Sequence, residues 1–129
     1  MRLIAVSIVK NEADIIEAFV RHTLAWVDHH LVFDHASTDG TRQILGVLQA
    51  EGLPLTLFTD DALGNLQQTR SNHLTRLAAE QYAADWILPL DADEILSGPG
   101  RAALEQGLRF FETASPASLP LLEIGRAHV

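Results

Sequence analysis

Cysteine is absent from this chain. Disulfides, thiolate nucleophiles and thiolate-ligated zinc are excluded with it, and the composition suits a reducing compartment. Positive charge is scarce. Only 9 Lys and Arg residues stand against 17 Asp and Glu, for a formal net charge of −8. The basic residues form no cluster, so neither nucleic acid nor an anionic membrane surface is an expected partner. An anionic small ligand remains open, because a few local donors or a metal can hold one. No apolar run approaches the roughly 20 residues that a membrane span needs. The opening stretch MRLIAVSIVKNE is closed by Lys10 and Glu12, with no small-residue cleavage site behind it. It reads as a strand, not a signal peptide, and a cytoplasmic location is expected.

What is present suits one soluble globular domain. The chain has 129 residues, 47% hydrophobic and 20% charged, enough for one core and too few for two. RLIAVSIV (2–9) is almost continuously apolar and β-branched, the pattern of a strand buried on both faces of a parallel sheet. Residues 11–26 follow with helical spacing, which puts Ile16, Phe19, Val20 and Leu24 on one face. Asn11 is the expected N-cap there, with Glu12 and Asp14 at the positive end of the helix. Strands are predicted at 30–34, 54–59 and 85–91, and helices at 42–52, 66–83 and, more weakly, 102–112. Within 66–83, Leu74, Leu77 and Ala78 are expected to face inward. Helices alternating with short apolar strands argue for an α/β fold with a mainly parallel sheet. Pro89 resists this scheme, because it has no N–H to give a ladder; a bulge or an unpaired position would accommodate it.

In open α/β sheets ligands bind beyond the carboxyl ends of the strands, and the polar stretches fall there. They are Lys10-Asn11-Glu12, Asp34 with the following STDGT, Asp60-Asp61, and the run Asp91-Ala92-Asp93-Glu94. Two carboxylates about 4 Å apart repel by roughly 1 kcal/mol in water and roughly 4 kcal/mol at an effective dielectric of 20. A partly desolvated Asp91/Asp93 pair therefore raises a pKa or recruits a cation. Carboxylates without Cys favour a hard ion, Mg²⁺ or Mn²⁺, with positions left for phosphate oxygens. Against this stands the plainer reading of solvated loop acids. His29 and His30 read as exposed strand-edge residues, Trp26 and Trp86 as packing residues, and Asp60 and Asp61 as loop acids with Asp60 within reach of a nucleotide edge. His73 shares a helix with Arg70, which leaves it a possible site residue.

Three stretches in order carry a resemblance. They are VKNEADIIEAFVRHTLAWVD, LVFDHASTDGT and GNLQQTRSNHLTRLAAEQYAADWILPLDADEIL. Over about residues 3–96 the chain resembles glycosyltransferase family 2, whose GT-A fold is a Rossmann-like sheet that binds a nucleotide sugar. The resemblance implies that Asp91 and Asp93 are the metal and diphosphate motif, with Mn²⁺ or Mg²⁺ as cofactor. It implies that Asp34 meets the base or ribose. The backbone near Val9, with Asn11 and Glu12, would line the nucleotide pocket, and Arg70 would approach the phosphates or base. Asp39 is expected to cap the turn and helix. Glu94 either faces the sugar or braces the loop. Many members have two acids where this chain has Asp34-His35, a departure at the second nucleotide contact.

The implied reaction moves a sugar from a nucleoside-diphosphate sugar to an acceptor that the sequence does not identify, usually inverting the anomeric carbon. In the family the catalytic base lies C-terminal to the Asp-x-Asp strand, and no convincing candidate precedes Glu123; Glu105 and Glu112 fall in an amphipathic helix. The final six residues, Ile124 to Val129 (IGRAHV), match the translation of a widely used short-read sequencing adapter. The expectation is therefore a donor-binding GT-A portion over 1–123, incomplete at its C-terminus, followed by a non-native tail at 124–129. Such a fragment is expected to bind nucleotide with metal weakly and to turn over little or nothing. The alternatives are a non-catalytic nucleotide-sugar binding module and a nucleotidyltransferase. The second would want a Gly-rich basic loop after the first strand, which Lys10-Asn11-Glu12 does not supply. A phosphatase would want its Asp-x-Asp at the first strand.

Overall fold

The computed structural model describes residues 1–59, 67–94, 96 and 100–114, with side chains omitted at 67–71, 73 and 111–114. Elements alternate along the chain: β1 (Leu3–Val9), α1 (Ile16–Thr23), β2 (His29–Asp34), α2 (Thr41–Ala50), β3 (Leu55–Thr59), α3 (Gln67–Glu80), β4 (Trp86–Pro89) and α4 (Arg101–Ala114). The four described strands form one parallel sheet in the order β3-β2-β1-β4. The expected α/β class and parallel sheet are thus observed.

Parity explains the burial of β1. Leu3, Ala5 and Val9 face one hydrophobic cluster, and Ile4 and Val6 face another. The first cluster takes in Ile16, Phe19 and Val20 from α1, Leu45 and Leu48 from α2, and Leu104 and Leu108 from α4. The second takes Leu74, Leu77 and Ala78 from α3. Helices α1 and α2 therefore cover one face and α3 the other. A crossover of fixed hand requires this, because the chain steps outward from β1 to β3 and then returns past β1 to β4. Trp26 and Trp86 are packing residues of the first cluster, as expected.

Pro89 finds its place at the open edge. β4 is the last strand of the described sheet on that side, and the Leu90 N–H donates to the Val6 carbonyl at 3.0 Å. Alternation then turns the Pro89 nitrogen away from β1, where no ladder bond is lost.

Two expectations need correction. Asn11 is not the N-cap of α1; the helix begins at Ile16, and its N-cap is Ile15. Asn11 instead adopts φ 54°, a left-handed conformation that Asn tolerates better than most residues. His30 is not an exposed edge residue. β2 lies between β1 and β3, and His30 is fully buried opposite Ala5, whose small side chain leaves room for the imidazole. His29, one residue earlier, is partly buried and bonds the Thr56 hydroxyl at 2.8 Å.

Candidate metal and nucleotide site

The sheet order reverses at β1. β2 and β3 lie to one side of it and β4 to the other, so a crevice is expected between the carboxyl ends of β1 and β4. The residues after β4 bring three acids there. One carboxylate oxygen from each of Asp91, Asp93 and Glu94 lies within 4.8 Å of the others. Asp91 and Asp93 are exposed, and Glu94 is buried at 9% exposure. A tight turn sets this spacing. The Glu94 N–H donates to the Asp91 carbonyl at 2.9 Å, and the Asp91 N–H donates back to Glu94 Oε1 at 3.1 Å. Of the two roles open to Glu94, bracing the loop is therefore the one seen.

The donor set fits a hard divalent ion. It is all carboxylate oxygen, two of its members face solvent, and no ligating Cys or His joins them among the described residues. Asp91 and Asp93 would hold such an ion, with Glu94 behind them.

Across the crevice the β1–α1 and β2–α2 loops are clipped together. Asn11 Oδ1 accepts from the Thr38 N–H at 2.8 Å and the Asp39 N–H at 3.3 Å. The Asn11 N–H donates to Ser37 Oγ at 2.9 Å, and the Glu12 N–H to Thr41 Oγ1 at 2.8 Å. The N-cap of α2 is Gly40, not Asp39; Asp39, one residue before it, accepts from the Thr41 N–H and from the Ala13 N–H and so holds the turn. Those bonds hold its carboxyl below the usual carboxylate range, the Thr41 hydroxyl contributing most. Glu12 is displaced the other way. Burial raises its pKa most, and Asp14, Asp93, Asp39 and Asp91 add to the rise. The Glu12 carboxyl is thus within electrostatic reach of the acids after β4.

Val9 is buried, and its carbonyl accepts from the His35 N–H at 2.8 Å. Asp34 pairs with Val9 across the strands and is fully buried. Its oxygens are engaged by the Ser37 hydroxyl and by Arg42 Nε at 3.0 Å. The Arg42 pairing escaped the sequence reading; Arg42 is the second residue of α2, and only the fold brings it to Asp34. Arg70 lies on α3, but its side chain is outside the described residues, as are the side chain of His73 and all of Asp60 and Asp61. Residues 115–129, with Glu123 and the tail at 124–129, also lie outside them. No described helix is long and apolar enough to cross a membrane.

Neither a protein-family model nor a curated protein matches the chain. Among solved structures it is similar to the mannosyltransferase PcManGT from Pyrobaculum calidifontis in complex with GDP-Man and Mn²⁺, at TM-score 0.62 and 23% sequence identity. The match covers 85% of this chain and 32% of that one, so the chain spans about a third of its neighbour's length. A glycosyltransferase-like, Rossmann-like α/β fold follows from this likeness.

Proposed function

We propose that this chain is the donor-binding portion of a family 2-like glycosyltransferase, and that it binds a nucleoside-diphosphate sugar together with Mn²⁺ or Mg²⁺. The observation that carries the reading is the trio of acids gathered beyond β4, beside the end of β1, in a fold of this kind. The structural neighbour's GDP-Man and Mn²⁺ support the same choice of ligand class.

In this reading Asp91 and Asp93 hold the cation, and Asp91 also borders the nucleotide. A bound cation would offset the charge of the diphosphate leaving group. Glu94 keeps the two aspartates in register through its bonds to the Asp91 main chain. Val9, Asn11 and Glu12 form the wall of the nucleotide pocket on the β1 side. Asp34 serves the base or ribose by trading the Ser37 hydroxyl or Arg42 for the ligand. Arg70 meets the phosphates or base from α3. Transfer inverts the anomeric carbon, with a general base supplied beyond Glu123.

Calorimetric titration with GDP and with UDP, each with and without Mn²⁺, tests the reading. Nucleotide binding should appear only with metal. Asp93→Asn should weaken it by more than about tenfold, because a direct ligand is lost. A folded chain that binds neither nucleotide at millimolar concentration ends this reading. Rapid sugar transfer by the chain alone would refute the assignment of the base to a later segment.

A further inference from the structure

His22 stands on α1, remote in sequence from the acids, yet its Nε2 lies 2.8 Å from the Leu96 carbonyl. A carbonyl only accepts, so Nε2 carries the hydrogen. The bond joins residues 74 apart in sequence. It falls two residues beyond Glu94, where the acidic turn rejoins the core through Leu96, itself buried at 3% exposure. Three links bracket the turn: Leu90 is bonded to Val6 on β1 just before it, Asp91 and Glu94 are bonded to each other within it, and Leu96, two residues past Glu94, is bonded to His22. Asp91 and Asp93 are exposed, so their side chains gain little order from packing, and the backbone beneath them must provide it.

We propose that His22 is a positioning residue for the cation site, setting the spacing of Asp91 and Asp93 by holding the exit of their turn. The inference rests on the proposed metal role of these aspartates. A donor that holds the main chain three residues past Asp93 restricts the ligands before the ion arrives, so its loss should appear as weaker ion binding more than as unfolding. The imidazole sits on α1, which packs against the sheet through Ile16, Phe19 and Val20 and so gives it a rigid base.

The test uses Mn²⁺ alone, followed by calorimetry or by the electron paramagnetic resonance of free ion. His22→Ala should bind Mn²⁺ about tenfold more weakly than the parent chain, the lower end of the range for outer-shell partners. His22→Gln, whose amide N–H can replace Nε2–H, should recover most of that loss. His29→Ala is the control, an imidazole at the opposite end of the sheet, and should leave Mn²⁺ affinity within twofold. The metal-free protein gives a second readout. Exchange of the Glu94 amide should quicken in His22→Ala and return toward the parent rate in His22→Gln. Equal Mn²⁺ affinity in parent and His22→Ala overturns the inference, as does failure of Gln to restore binding. If His22→Ala does not fold, the Gln variant decides: parent-like affinity and exchange support the role, and a full loss of affinity refutes it. A parent chain that binds no Mn²⁺ refutes the metal reading itself, an outcome distinct from these.

Discussion

His30 shows how one side chain can set a pH limit. Its ring is fully buried, Nε2 meets Ser7 Oγ at 2.8 Å, Nδ1 has no hydrogen-bond partner among the described residues, and the Phe19 ring crosses it edge-on with centroids 5.3 Å apart. Burial, with a smaller contribution from His29, lowers its pKa from 6.5 to about 3. The unfolded chain therefore takes up a proton below pH 6.5 that the folded chain refuses. Stability should fall by about 1.4 kcal/mol per pH unit as pH drops from 6.5 toward 3. Urea midpoints at pH 7.0 and 5.5 for the parent and for His30→Asn would check this; the variant should lose the share of the pH dependence that His30 carries and keep that of His29, whose pKa burial also lowers. Asn11 permits a second test at this scale, because its backbone and carboxamide contribute separately. Asn11→Gly keeps the φ of 54° without strain but loses the carboxamide acceptor, whereas Asn11→Ala loses the acceptor and is strained. Loss of the acceptor should cost about 1 kcal/mol in both, with Ala about 1 kcal/mol worse than Gly in thermal or urea melts.

Elements were legible in the sequence where packing is local. The β1 run is apolar at every position but Ser7 because both faces are covered, and α3 shows its inward Leu74 and Ala78 at helical spacing. The start of α1 was not legible. Periodicity extended the helix back to Asn11, but the chain between 11 and 15 is committed to partners in another loop, with Glu12 bonded to Thr41 and Ala13 to Asp39. Those partners lie 26 to 29 residues away, and no local pattern encodes them. His30 was misjudged for the same kind of reason. Its burial depends on Ala5 and Phe19 lying against it, which only strand register and helix placement determine. Of the candidate site, the acidic run after β4 was legible as a cluster, since its members are neighbours in sequence. The links from His22 to the Leu96 carbonyl and from Arg42 to the Asp34 carboxylate were not, because each joins groups whose proximity the fold alone creates.

For the whole molecule, the fold and the proposed ion site are separable. Two apolar clusters, one on each face of the sheet, hold the chain together, while Asp91 and Asp93 sit in solvent at its rim. Exposed charges add little to stability in either direction. Chelation with EDTA should therefore abolish nucleotide binding in the calorimeter and leave the far-UV circular dichroism and melting temperature within experimental scatter, apart from the small stabilisation that a weakly bound ligand confers. Unfolding on chelation would instead make the metal structural. The strand order has a further consequence for the chain as it is made. β1 is synthesised first and pairs on one side with β2, but its other side pairs with β4, 83 residues later at the Leu3–Trp86 contact. During vectorial translation one flank of the nascent sheet remains an uncapped apolar edge until Pro89 clears the exit tunnel, and the acidic turn joins the crevice only after the loops that follow β1 and β2 are in place.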